Sequence, residues 1–441
     1  MLRPALLALA LPLLPATAMA ADVFVVDVSG GPGTDFTSIS AALSNAQNGD
    51  ILLVRSGVYE GFASDGKAVT VVADEGANAL VSGNVTITQV PAQSVFTLRG
   101  FEFAATADLT LTDNAGLVRL EDLELSNYQV APGGTIDTTN VRIQSTAAVR
   151  MARVTLGYDG PNPVSDPAAG FGVPAQPEPA LRAVQGSQVH LLNCHVYGTP
   201  GRDANTDPLT LLWVLGEPGG NAIEFDSGSP VRLASSTATG GPGGDGTVST
   251  AFGCVAPREG GNGILAIGGS IHDLSLHSSA ANGGAGGAMA GSLGPIGCPA
   301  EAPNGVGVAQ VPGALLGAAL SDRLLPALDI PRVVREGENV MATYQGLPGD
   351  LAFLLASLQP NAAPAIPWLD FLYLELEGAP IVFPLGMAMG DGTANWMLAA
   401  FDDVLAPGTG LVFSLQTLGF RANGSFELGA FATTLLADAG L

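Results

Sequence analysis

Lysine is almost missing from this chain. Lys67 is the only one in 441 residues, and 16 basic side chains face 40 acidic ones, for a formal charge of −24. Nucleic acid and anionic membrane both demand basic patches, so neither is an expected partner. A polyanionic glycan would need a local basic stripe or bridging calcium; otherwise the acidity serves solubility. Charge of either sign is scarce at 13%, and mean hydropathy is +0.35. Long stacked sheets that bury most of their residues tolerate such a composition. Past the first twenty residues no run is long and apolar enough to span a bilayer. Cysteine is limited to three.

The first twenty residues read as a secretion leader. Arg3 supplies the basic start, Ala5 to Leu14 the apolar run and Ala18-Met19-Ala20 a small-x-small cleavage site. The run is short and carries Pro12, which argues against a membrane anchor. The expected location is therefore extracellular or at the cell surface, with the periplasm as the alternative. The roughly 420 residues that follow exceed one compact core unless the architecture is elongated. Glycine contributes 59 residues without a collagen period.

Self-comparison reveals a repeat. Phe96 to Phe103, Val118 to Leu125, Val149 to Leu156, Val189 to Val196 and Val231 to Ala238 each read apolar, polar, apolar, a turn-like residue, then apolar, polar, apolar. Leu274-Ser275-Leu276-His277 extends the series. Each line is two short strands of period-2 alternation joined by a bend. A third strand lies upstream, at Val141, Leu181, Ile223 and Ile264. Three strands per repeat describe one coil of a β-helix, and stacking coils closes an apolar interior. The steps between lines are 22, 31, 40, 42 and 43 residues. The added length falls at one corner, in the Gly- and Pro-rich segments 157–180, 198–220, 240–262 and 283–305. The expectation is a wall of loops along one edge, either a binding face or a tolerated extension.

Ahead of the coils, Thr37 and Ser38 signal a helix start, with apolar spacing at Phe36, Ile39, Ala42 and Leu43. A strand Asp50 to Val54 follows Gly49, and Gly57-Val58-Tyr59-Glu60 closes the unit. The run from Val25 to Phe62 resembles the opening of the pectin-lyase-like right-handed β-helix superfamily, which includes pectinesterases. The resemblance implies the fold and says little about activity. From Asp329 onward short strands recur between Gly and Pro, at Val340 to Tyr344, Leu351 to Leu358, Phe371 to Leu376, Trp396 to Phe401 and Leu411 to Leu418. They predict a small β-sandwich, which resembles a C-terminal module of secreted planctomycete-type bacterial proteins. The organisation expected is a leader at 1–20, a cap and first coil at 21–62, a parallel β-helix at 63–310, a linker at 311–328 and a β-sandwich at 329–441.

Repeat register assigns the cysteines. Cys194 falls on the inward position of Phe101, Leu123 and Val154 and reads as a core residue. Cys254 and Cys298 lie 14 and 15 residues beyond the matching glycine pairs of successive insertions, so a Cys254–Cys298 disulfide is expected. Register also exposes an outward column of Arg119, Arg150, His190 and Arg232, one rung of about 5 Å apart. A second column holds Arg142, Arg182 and Glu224. Such ladders could grip an acidic polysaccharide; interleaved with Glu102, Glu121 and Glu124, they could equally be ordinary mixed surface. His190, His195, His272 and His277 are spaced by five in each pair, which puts partners on opposite strand faces and speaks against zinc.

The spacing of esterase or lyase residues is not found. Ile223-Glu224-Phe225-Asp226 departs from the esterase pattern, and neither Asp203 with Asp207 nor Asp226 with Asp245 is marked as a calcium cluster. No phosphate loop or dinucleotide fingerprint occurs. The expectation is an exported all-β monomer, a capped right-handed β-helix followed by a sandwich. It is expected to be non-catalytic and to bind polysaccharide through one face or the loop edge, with no cofactor beyond a candidate calcium. The rival is a polysaccharide lyase or glycoside hydrolase, which requires carboxylates and an arginine to converge in one groove.

Overall fold

The computed structural model describes residues 21–441 apart from 106, 126–127, 131–135, 139, 159–176, 207–212, 250–252, 269–273, 278, 290–299, 312–313, 316–325, 359–380, 399–404 and 422–423. The expected leader and the expected strand at Phe371 to Leu376 lie outside these residues. Among the described residues the chain is all-β, with one short helix at Ile39–Asn45. Ser38 caps that helix by accepting from the Ala41 N–H at 3.2 Å, while Ile39, Ala42 and Leu43 are buried beneath it.

Three parallel sheets form the solenoid. The first runs from Ala21–Val26 through Ile51–Val54 to Leu274–His277, the second from Gly57–Tyr59 to Ala280–Asn282 and the third from Ala63–Asp65 to Val308–Val311. Rungs stack residue on residue. Val118 sits between Phe96 and Val149, Val189 between Val149 and Val231. Inward side chains from every rung, including Phe96, Phe101, Leu120, Met151, Leu191 and Phe225, merge into one continuous core. Cys194 belongs to it, fully buried as its register implies.

The turn-like residue of each repeat is a left-handed corner. Gly100, Asp122, Arg153, Asn193 and Ser235 share a φ between +47° and +83° and link the first sheet to the second. Asp122 and Arg153 adopt it at a steric cost of roughly 1 kcal/mol each. That cost brings two charged side chains to the same corner on successive rungs.

The glycine-rich corner is not a set of independent loops. Gly198, Gly201 and Ala204 donate to the carbonyls of Thr239, Pro242 and Asp245, and Gly240, Gly243 and Gly246 donate to those of Asn282, Ala285 and Ala288, at 2.7–2.9 Å. The donors recur every third residue. Return segments zip between them, with Gly220 donating to Thr199, Gly241 to Gly220, Gly261 to Gly241, Gly284 to Gly261 and Gly305 to Gly284. A three-residue period with bonds only between segments is the geometry of bundled polyproline II helices. Glycine is needed there for lack of bulk. A Cβ on Gly241 would lie 2.0 Å from the Thr199 carbonyl oxygen, and one on Gly261 1.9 Å from that of Gly220.

The C-terminal strands are antiparallel except for Val333–Arg335, which pairs in parallel with Phe426–Ala437. Thr409–Phe420 pairs with Phe426–Ala437 and with Leu351–Ser357, which pairs in turn with Ile381–Met387; a separate small sheet joins Ala327–Asp329, Val340–Gln345 and Thr393–Leu398. Phe426–Ala437 escapes sequence pattern because its apolar and small residues run together without alternation. This layer is welded to the solenoid. Ala21 and Asp22 pair antiparallel with Gly410 and Thr409, so the first solenoid sheet continues into the C-terminal one. Val23, Ile51, Leu53 and Val72 on the outside of the first rungs pack against Val333, Leu435 and Ala437.

Replacing Gly241 by Ala should lower the thermal midpoint far more than Gly66→Ala. The first forces backbone apart, at about 2–4 kcal/mol by analogy with overpacking. The second meets open space at φ +65° and costs about 1 kcal/mol of strain. Equal shifts would mean that the corner is not tightly bundled.

Candidate functional site

The outward face of the first sheet carries two side-chain columns. One runs Ile51, Thr70, Thr97, Arg119, Arg150, His190, Arg232, Ser275; the other runs Leu53, Val72, Arg99, Glu121, Ala152, Leu192, Ala234. Their solvent exposure corrects the sequence expectation. Arg119 and Arg150 are 1% exposed and His190 8%, while Arg232 is half-buried. They point out of the coil, as register requires, but the C-terminal sheet lies on top of them. Ala152, Leu192 and Ala234 share a core with Leu354, Leu415 and Phe431. The column is an internal interface and cannot be a glycan-facing ladder in this arrangement.

Charges inside that interface meet specific partners, although Arg119 Nε and Nη2 are buried without an acceptor among the described residues. Arg119 donates from Nη1 to Ser414 Oγ at 2.7 Å and Thr433 Oγ1 at 3.0 Å, and its guanidinium carbon lies 5.0 Å from the Phe431 ring centre. Glu121, fully buried, accepts from the Thr433 N–H at 2.7 Å and hydroxyl at 2.6 Å. Around it stand Arg153 at 3.6 Å, Arg119 at 3.7 Å and Arg99 at 3.9 Å. Asp122, at the left-handed corner, is clamped between Arg99 and Arg153, which donate to its two oxygens. Burial opposes its ionisation most strongly, yet Arg99 and Arg153 together hold the carboxyl at about 2. Burial likewise lowers the pKa of Arg99 and Arg119, partly offset by the nearby carboxylates.

At the rim of this cluster a cleft of about 510 Å³ opens between the solenoid corner and the C-terminal strands. Arg99, Asp122 and Arg153 form its floor with Glu75. Leu328, Asp329, Ile330, Pro331 and Arg332 form one wall, and Met341 and Thr343 project from the adjoining strand. The wall is tied down by short bonds. Glu75 accepts from the Arg332 N–H at 2.8 Å, Arg332 Nη1 donates to the Gly100 carbonyl at 3.1 Å, and Arg99 Nη2 donates to the Ile330 carbonyl at 3.3 Å. No sequence pattern marks these residues, because 230 or so positions separate the partners. The available signal was the repeat's corner position, where Asp122 and Arg153 stand in place of ordinary turn formers.

The remaining candidates separate. Arg142 and Arg182 stay about half exposed, but Arg142 is paired with Glu178 and Arg182 with Glu224 at 3.6 Å, so that column is a mixed one. His195 bonds Thr237 on the next rung at 2.9 Å; His272 and the His277 side chain lie outside the described residues. Asp203 and Asp245 act as acceptors for backbone N–H groups of the bundle, from Asp245 and Ala288 at 2.7 Å, and Asp226 accepts from Gln185 at 2.9 Å; Asp207 is not described. Among the described residues no group of three His, Cys, Asp or Glu side chains converges, and no described helix is long and apolar enough to cross a membrane. Cys194 is a free thiol that burial pushes up to about 11. Cys254 is not a free thiol, and Cys298 lies outside the described residues.

No protein-family model matches the chain, and no curated protein matches it.

Glu121→Leu should destabilise the protein by roughly 3–5 kcal/mol, because three guanidiniums lose their shared carboxylate in a dry interface. Adding Arg119→Met should recover much of that loss in denaturant titrations; no recovery would show that the two groups are not coupled. His190 gives a pH signature. Burial, then Arg150 and Arg232, push its pKa down to about 3. The unfolded chain therefore takes up a proton near 6.5 that the folded chain refuses, so stability falls as pH drops from 6.5 toward 3. Between pH 7 and 4 wild type should lose about 3 kcal/mol of stability relative to His190→Gln. A constant difference would contradict this.

Proposed function

We propose that the chain is a secreted or cell-surface β-helix protein that binds polysaccharide without turning it over, and that the junction cleft is where it binds. The observation that carries this reading is the cleft itself. Its volume of about 510 Å³ falls within the range of small-ligand sites and can seat a short run of sugar rings. It offers donors, acceptors and the apolar flanks of Pro331 and Met341, the mixture that sugar rings require. The two outward arginine columns offer less, since one is covered and the other is ion-paired to glutamates.

The wider reading retains four further expectations. The solenoid is inferred to belong to the pectin-lyase-like superfamily, on the opening from Val25 to Phe62, and the C-terminal sheets to the modules of secreted planctomycete-type proteins. Export through the leader at 1–20 belongs to the same reading. So does a Cys254–Cys298 disulfide between successive insertions, which peptide mapping without reductant would read directly.

A specific observation keeps the enzyme alternative in view. Carboxylates and arginines do converge, at Glu121, Asp122, Arg99 and Arg153. They are, however, committed to one another, and Glu121 is fully buried. A general acid or base has to reach the proton it moves, and Glu121 has no path to a polymer. A glycan array combined with a uronate-release and reducing-end assay on the mature protein separates the readings. Binding without turnover is the expected outcome. Turnover that is lost in Asp122→Asn would make the protein a lyase or hydrolase instead.

A further inference from the structure

The charges lining the cleft say which saccharide it takes, given that the protein binds one. Arg99, Arg153 and Arg332 face Glu75, Asp122 and Asp329, three guanidiniums against three carboxylates. The two arginines of the floor are already spent. Arg153 gives its donors to Asp122 and to the Phe431 carbonyl, and Arg99 gives Nε to Asp122 and Nη2 to the Ile330 carbonyl. The remaining Arg99 nitrogen is fully buried and out of a ligand's reach. No guanidinium of the floor is therefore free to meet a sugar carboxylate as a bidentate fork.

The groups that remain available sit on the wall. Arg332 uses its backbone N–H and Nη1 on Glu75 and Gly100, which leaves Nε and Nη2 uncommitted among the described residues. Asp329 is exposed at the end of its strand, and its carboxylate has no bonded partner among the described residues. Thr343 is the direct cross-strand neighbour of Asp329, and Met341, two residues before it on the same strand, is 53% exposed. A cation, an anion and a hydroxyl beside an apolar flank can each engage a hydroxyl group, which both donates and accepts. An anionic sugar would gain Arg332 but would meet Asp329 and Glu75, in the field of a chain carrying −24.

We propose that the cleft is a subsite for an uncharged, hydroxyl-rich saccharide, with Asp329 and Arg332 holding ring hydroxyls and Met341 covering the C–H face of the sugar. This rests on the binding reading above and narrows it to neutral polysaccharide. Uronate polymers are excluded by Asp329 and Glu75.

The test is calorimetry on the mature full chain with two panels of equal chain length, neutral hexo-oligosaccharides and oligo-uronates. The neutral panel should bind, with an affinity that changes less than about twofold from about 0.05 to 0.5 M salt, since no net charge is neutralised. Asp329→Asn and Thr343→Val should each weaken it, Asp329→Asn by about tenfold, with the thermal midpoint unchanged because Asp329 carries no structural bond. Preferential binding of the oligo-uronates, with affinity falling steeply in salt, would overturn the inference and leave the binding reading standing. Neutral binding indifferent to both substitutions would move the site away from this cleft. Silence from both panels would remove the binding reading itself.

Discussion

Everything in this molecule depends on one constraint, that the backbone of each coil bonds to the coil above and below it. In the three sheets the bonds are those of parallel strands. In the glycine-rich corner the same demand is met by bundled polyproline II segments, whose donors recur every third residue rather than every second. Both solutions leave few backbone polar groups to solvent along the stacked faces. The corner could lengthen from coil to coil because each extension found the preceding one to bond to. The condition was the absence of side chains at the contacts, and it accounts for much of the chain's glycine. Gly241 and Gly261 are there because a Cβ would run into a neighbouring carbonyl.

Register turns a repeated residue into a column, and a column of one charge is unfavourable. Two remedies occur here. Arg142 and Arg182 are paired with Glu178 and Glu224 at the surface, where such pairs contribute little energy. The other column is covered along Arg119, Arg150 and His190, where carboxylates and hydroxyl acceptors replace water. Arg119, Arg150 and His190 lie under the C-terminal sheet, which supplies Ser414, Thr433 and the Phe431 ring, while the solenoid supplies Glu121 and Asp122. Burying such a set is stabilising only while every member is present. That interdependence fixes how the sheet sits, and the way it sits leaves the cleft at the solenoid corner.

The fold was legible in the sequence to the extent that it is local or periodic. The lines from Phe96 to Ala238, the third strand at Val141, Leu181 and Ile223, the capped helix after Ser38 and the inward place of Cys194 all follow from alternation and spacing. These are properties of a single coil repeated. The site was barely legible. Asp122 and Arg153 stood in plain view as corner residues, but nothing in the repeat indicated that Ile330 or Phe431 would arrive beside them. In sequence the glycine pairs look like loops, because a three-residue period becomes visible only when the partner segments are aligned in space.

The sequence by itself therefore determined the coil, the direction in which each of its side chains points and the corner at which the chain is extended, since these depend on neighbours a few residues away or exactly one repeat away. The tertiary structure decided what those outward side chains meet. Arg119 is outward by sequence and buried by tertiary packing, because exposure is set by the C-terminal sheet some 300 residues later, and no local pattern encodes contact across that distance.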